Sequence, residues 1–253
     1  MAANTIPILE KTVAVLEAIS TAKDGASAKA LMLSLNIPPA SCYRILRTLG
    51  KHNWVRDEGD GQYRLAFGLA ALTRSYAETE TLLRQLEFPL RALCDDTGLS
   101  VKISLREGDS AVTAMRTESR RQNAITSPIG SKTHLALAGA AGAVLLAGLP
   151  RVEAEEILAT APKECWASYS REAFRQDVTQ ARVRGISLAM GKFHPSICAM
   201  AVPLRLTKGN VAALAVVGWP DDFQGAKQAA MEKKLKAHAT RMSRVLDEMT
   251  KTN

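Results

Sequence analysis

Between Pro39 and Arg56 the chain carries four basic residues, Arg44, Arg47, Lys51 and Arg56, and no acidic one. In the same stretch Cys42, Ile45, Leu46 and Leu49 recur at i, i+3, i+4 and i+7, which is one apolar face of a helix. Ser41, Tyr43, Arg44, Arg47, Thr48 and Lys51 fall off that stripe. An apolar back and a polar, basic front is what a helix needs to enter a nucleic-acid groove. Arginine can pair with guanine through two hydrogen bonds, and hydroxyl residues can reach phosphates or thymine methyls. The other reading of the stripe is a solvated face on an ordinary helical domain.

The remaining reactive side chains are scattered. Cysteines stand at 42, 94, 165 and 198 and histidines at 52, 134, 194 and 238, without the close pairs that build a zinc site or a disulfide framework. Cys198 with His194 or His134 has the residue types of a nucleophile and its base. No GxSxG, HExxH, phosphate-binding loop or dinucleotide fingerprint accompanies them. The expectation is no enzyme, no metal and no cofactor.

The elements that must position the basic face are short. Leu9, Val13, Leu16 and Ile19 predict an amphipathic helix over 8–20, and Asp24-Gly25 ends it. Ser27 is placed to cap a second helix over 28–35, and Asn36 suits the left-handed residue that closes one. Ile37-Pro38-Pro39 then opens the third. Trp54-Val55-Arg56 and Gln62-Tyr63-Arg64-Leu65 flank the turn Glu58-Gly59-Asp60-Gly61, so a two-stranded wing follows. On this arrangement Gln62 and Arg64 assist the third helix in touching DNA.

A helical connector follows, with Leu69, Leu72 and Tyr76 at near-helical spacing that suits a partner helix. From about residue 84 the pattern mixes strands and helices. Val101, Ile103 and Leu105 alternate with Lys102, Ser104 and Arg106, and Glu107-Gly108-Asp109 turns the chain into a hairpin. Two more strands are expected at Cys198–Leu206 and Val211–Gly218, and a last helix over about 226–249. Leu135–Leu149 is an uncharged run of 15 residues, short of the ~20 needed to span a bilayer, and reads as a buried helix. Nothing at the N-terminus has the pattern of a secretory leader. A soluble, cytoplasmic protein with no membrane partner is expected.

The chain has 253 residues and a net charge of +8. Residues 1–66 hold eight Lys or Arg and six Asp or Glu, so most of the excess lies outside the winged part. The local acid-free helix is therefore a better pointer to DNA than the overall charge.

These residues, in order, resemble the IclR-type bacterial transcriptional regulators. The N-terminal resemblance runs through Lys11-Thr12-Val13, Ile37-Pro38, Arg44 with Leu46 and Leu49, and Tyr63-Arg64-Leu65 with Gly68. It continues through Thr97-Gly98, Pro128-Ile129-Gly130-Ser131, Gly142 with Leu145-Leu146-Ala147, and Arg184-Gly185. It closes with Ile197-Cys198-Ala199, Val202-Pro203 and Val216-Val217-Gly218. The resemblance implies an α+β fold in three parts. These are an N-terminal winged helix-turn-helix over 1–66, a linker helix over 67–83, and a GAF-like α/β effector-binding and oligomerisation domain over 84–253. It implies a homodimer or homotetramer that binds double-stranded operator DNA and senses a small organic acid, aromatic or short-chain.

The resemblance places the effector at Ala140 and Ala141, where a helix N-terminus can hold a carboxylate, and at Cys198. Ala189, Ala215 and Val217 complete an apolar wall. Trp166 and Tyr169 are the next candidates to line a ligand. The sequence departs from the family in reading Ala40-Ser41 where a Ser-Thr pair is usual, and His134 does not match the family histidine. The alternatives are a winged-helix module that binds protein and no effector, and a Cys-dependent enzyme.

Overall fold

The computed structural model describes residues 6–72, 77–121, 124–125, 127–191, 195–207 and 210–252. The chain divides into two units, Met1–Glu78 and Thr79–Asn253.

In the first unit α1 spans Pro7–Thr21, β1 Ala26–Ser27, α2 Ala28–Leu35, α3 Pro39–Lys51, β2 Val55–Asp57 and β3 Gln62–Leu65. Local chemistry sets the boundaries. Ser27 Oγ accepts the Ala30 N–H at 3.2 Å, so α2 is capped as its sequence predicts. Asn36 closes it in the left-handed conformation, φ 50° and ψ 49°. Cys42, Ile45, Leu46 and Leu49 of α3 are all buried, against Val15, Ile19, Leu31 and Val55.

Two expectations change here. Of the expected stripe, Ile19 is buried and Leu16 packs half-buried on the core, but Leu9 and Val13 are exposed and Val15 is buried in their place. This helix carries apolar residues on two sides, and periodicity alone could not say which side met the core. The wing also gains a third strand: β1 pairs with β3 through Ala26–Tyr63 and Ser27–Gln62, giving the order β1-β3-β2. After the wing the chain makes a 3-10 turn over Phe67–Ala71, and α4 runs over Ala77–Arg84. Tyr76 lies outside the described residues.

The second unit contains α5 (Glu87–Thr97), β4 (Ser100–Glu107), β5 (Ser110–Thr117), β6 (Lys132–His134), α6 (Gly139–Ala147) and α7 (Arg151–Thr160). It continues with α8 (Arg171–Arg184), β7 (Ser187–Met190), β8 (Cys198–Thr207), β9 (Asn210–Gly218) and α9 (Ala226–Thr252). Six strands form one sheet in the order β6-β5-β4-β9-β8-β7, antiparallel throughout.

Both faces of this sheet are covered, and period two separates two cores of different texture. Met200, Val202 and Leu204 of β8 and Leu214 and Val216 of β9 face α5 and α9, with Leu90, Leu93, Leu235 and Met242. The alternate residues, Ala201, Ala213 and Ala215, face α6 and α8. Alanines let α6 approach the sheet closely. Gly142 of α6 lies against the Leu135 carbonyl, where a Cβ would collide with it, so the helix start is held tightly against the preceding turn. Among the described residues no helix is long and apolar enough to cross a membrane.

Candidate functional site

On α3 the buried stripe leaves Tyr43, Arg44, Arg47, Thr48 and Lys51 exposed, with Ser41 half-buried beside them. All six share the outward half of the helix, since residues 3, 4 and 7 apart recur on one face. The Thr48 hydroxyl donates to the Arg44 carbonyl at 2.7 Å, leaving its oxygen lone pairs to the outside.

The wing is less suited to DNA than its strand pattern suggested. Its tip carries Asp57, Glu58 and Asp60, whose carboxylates hold the turn: Asp57 Oδ1 accepts from Gly59 N and Asp60 Oδ1 from Gln62 N, both at 2.9 Å. Glu58 stands 2.8 Å from Arg56 and 3.6 Å from Arg64. The Arg64 guanidinium donates to the Lys23 carbonyl at 3.0 Å, so it ties the sheet to the loop after α1. Gln62 is half-buried opposite Ser27. Both residues sit on the central strand, Gln62 paired with Ser27 of β1 and Arg64 with Arg56 of β2.

The second unit holds a cavity of about 320 Å³ between the sheet and the start of α6. That is at the small end of ligand sites, which run about 300–1,000 Å³. Leu137, Ala138, Gly139 and Ala141 form its α6 side. Gly139 takes φ +56° as the helix opens. The first-turn N–H groups of α6 have no acceptor within the helix, so they present positive charge to that end. Ala189, Ile197, Ala199, Ala215 and Val217 make an apolar wall from β7, β8 and β9.

Of the effector positions read from the sequence, Ala141, Ala189, Ala215 and Val217 line the cavity. Ala140 and Cys198 do not. Ala140 is fully buried in the alanine-rich core, one helical step round from Ala141. Cys198 is buried, 1% exposed, in the α5–α9 core. Its neighbour Ala199 takes the cavity place, because successive strand residues point to opposite faces.

The sequence reading missed the polar half of the same sheet face, where Ser100 and Lys102 of β4 stand beside Val217 and Ala215 of β9. Ser100, Lys102 and Ser104 of β4 and Thr113 and Arg116 of β5 face the cavity. Lys102 pairs with Arg116 directly across the two strands. A bulge after Ile103 leaves Ala114 unpaired and sets Ser104 opposite Thr113, restoring both to the cavity face. Burial pushes the Lys102 ammonium pKa below its ordinary range. The alternation Val101-Lys102-Ile103-Ser104 puts Lys102 and Ser104 on one face of β4, but nothing within the strand marks that face as covered.

The imagined Cys–His pair is not assembled. His134 Nδ1 accepts the Ala136 N–H at 3.1 Å, capping the turn before α6. Four strand spacings separate β6 from β8 in the sheet, ~19 Å at 4.8 Å each. His194 lies outside the described residues. Trp166 and Tyr169 pack on Phe174 with ring centroids 6.4 Å away in each case. They lie outside this cavity; Tyr169 and Phe174 border a smaller one of about 90 Å³. Among the described residues no cluster of His, Cys, Asp or Glu could hold a metal ion.

Two family models match the chain. The IclR helix-turn-helix domain matches residues 8–59, and the model described as Bacterial transcriptional regulator IclR C-terminal matches residues 74–244. Among curated proteins the chain is 25% identical to the HTH-type transcriptional repressor AllR of Klebsiella pneumoniae over 151 residues, 59% of this chain and 55% of that one. It therefore spans about half the length of AllR. It is 23% identical to the probable transcriptional regulator SauR of Cupriavidus necator, over 81% of this chain and 83% of that one.

The fold is that of the Thermotoga maritima IclR structure (TM-score 0.72, 21% identity, 96% of this chain and 99% of that one). It is likewise similar to an IclR homolog from Microbacterium hydrocarbonoxydans complexed with 4-hydroxybenzoate (TM-score 0.70, 20% identity, 95% and 99% covered). The basic face of α3 belongs to the segment matched by the helix-turn-helix model, and the cavity to the segment matched by the C-terminal one. The chain belongs to the IclR family of bacterial transcriptional regulators, DNA-binding proteins with a C-terminal effector domain.

Proposed function

We propose that this protein reads an operator through α3 and changes its operator affinity when a small organic acid enters the cavity beside α6. Ser41, Tyr43, Arg44, Arg47 and Thr48 contact base edges and nearby backbone, and Lys51 contacts phosphate. The observation that carries the effector half is the cavity itself: a helix N-terminus on one side and, across from it, a sheet face that is cationic on β4 and β5 and apolar on β7, β8 and β9. Helix N–H groups and cations both favour a carboxylate, and the apolar wall favours a carbon body. The 4-hydroxybenzoate bound to a homolog of the same fold supports an aromatic acid of that size.

A single winged unit covers little DNA, so specificity requires two copies on paired half-sites. We therefore infer a homodimer or homotetramer as the working form, with residues 67–83 as the linker. Gel shifts with the DNA upstream of the gene, with and without a panel of aromatic and short-chain acids, test the reading. A retarded band that one acid shifts is the expected result. Binding no better than to random DNA, or no response to any acid that calorimetry shows to bind, refutes it.

A further inference from the structure

One of the cavity's two cations, Lys102, is not matched by a partner among the described residues. Lys102 and Arg116 stand opposite each other on β4 and β5 and share the cavity face. Like charges in that position repel. Arg116 has local partners: the Glu118 carboxylate at 3.0 Å and the Ser127 carbonyl at 3.4 Å. Glu118 is 51% exposed, so water shares that pair.

Lys102 has no such relief. Among the described residues no carboxylate lies within ion-pair distance of it and no group accepts its hydrogen bond. Burial disfavours its charged form. A half-buried ammonium beside an arginine costs stability while it lacks a partner, and an apolar side chain of the same length would fill the place without that cost. An anion entering the cavity removes that cost. The α6 N-terminus, bordered by Gly139 and Ala141, is a separate electropositive end of the same cavity.

We propose that the effector is a dicarboxylate, with one acid group on the α6 N–H groups and the second on Lys102, flanked by Arg116. Lys102 is then the residue that sets specificity for the second charge. The inference rests on the effector reading above and names its ligand class. The serine and threonine hydroxyls of β4 and β5, Ser100, Ser104 and Thr113, supply donors around the second acid group.

Calorimetry on the full chain with acid pairs differing by one carboxylate tests this: benzoate against terephthalate, and butanoate against succinate. In at least one pair the diacid should bind ~10–150-fold more tightly, as one charge-assisted hydrogen bond implies. Lys102→Met should weaken the diacid far more than the monoacid and so abolish that advantage. Lys102→Met should also melt no lower than wild type without ligand, which shows that the loss is not misfolding. Equal binding of mono- and diacid to wild type overturns the proposal. So does an equal loss of both in Lys102→Met, which would put the lysine on a single shared carboxylate. Binding of none of the four acids overturns the effector reading and this inference together.

Discussion

Arg44, Arg47 and Lys51 lie on one exposed face of α3, and their removal separates base reading from charge neutralisation. The helix has 13 residues, ~20 Å at 1.5 Å each, enough to cross a major groove about 12 Å wide. An arginine that reads a base is worth about 1–3 kcal/mol per half-site. In a dimer on two half-sites the loss doubles to about 2–6 kcal/mol, a ~30- to ~25,000-fold weakening. Lys51, in the last turn, is assigned to phosphate. Its loss should flatten the slope of log K against log salt by ~0.9 per contact, ~1.8 for a dimer, on operator and random DNA alike. None of the three side chains is part of the unit's core, so thermal melts should move by less than about 0.5 kcal/mol in stability. Fluorescence anisotropy on operator and scrambled duplexes at several salt concentrations reads both quantities. If Arg44→Ala and Arg47→Ala both bind the operator as wild type does, α3 is not the reading helix.

Four further outcomes follow from the geometry. Ala141→Leu should abolish the response to an effector while operator binding persists, because the added side chain enters the cavity and the α3 face belongs to the other unit; gel shifts with and without acid check it. Cys198→Ser should lower thermal stability by about 1–3 kcal/mol, by placing a hydroxyl in the apolar core that holds Met200 and Val216, and a thermal melt with ligand titration should show effector affinity unaltered. Asp60→Lys should strengthen binding to random DNA and steepen its salt dependence, since it replaces a wing-tip carboxylate with a cation. The fourth concerns acid. Hydrogen bonding from Lys234, followed by that from His238, holds the Asp96 carboxyl below its ordinary range. A depressed carboxylate stabilises fully above its unfolded pKa of about 3.9 and loses that contribution as pH falls through the lower folded value. Melting temperatures measured from about pH 5 down to pH 3 should therefore fall less steeply in Asp96→Asn than in wild type, and equal slopes would exclude this clasp between α5 and α9.

What the sequence by itself determined was local chemistry. Ser27 and Asn36 could be assigned to the two ends of α2 because capping and left-handed closure involve only neighbouring residues. The α3 stripe was legible because four apolar residues on an otherwise polar helix leave one way to bury it. The strands β8 and β9 were visible in their composition and bounded by a turn.

Only the tertiary structure decided which face of each element met which neighbour. On α1, two apolar sides competed, and packing chose Val15 with the expected Ile19 over Leu9 and Val13. In the six-stranded sheet both faces are buried, so alternation could not say whether Cys198 or Ala199 bordered the cavity; that depended on α6 covering one face and α9 the other. Lys102 and Arg116 read as ordinary outward-facing polar residues of a hairpin. They become a charged cavity wall only because the turn before α6 and the start of α6, distant in sequence from β4, cover the same sheet face. Side-chain periodicity is a property of one strand. Enclosure is a property of several, and it is fixed by long-range pairing that no window of sequence contains.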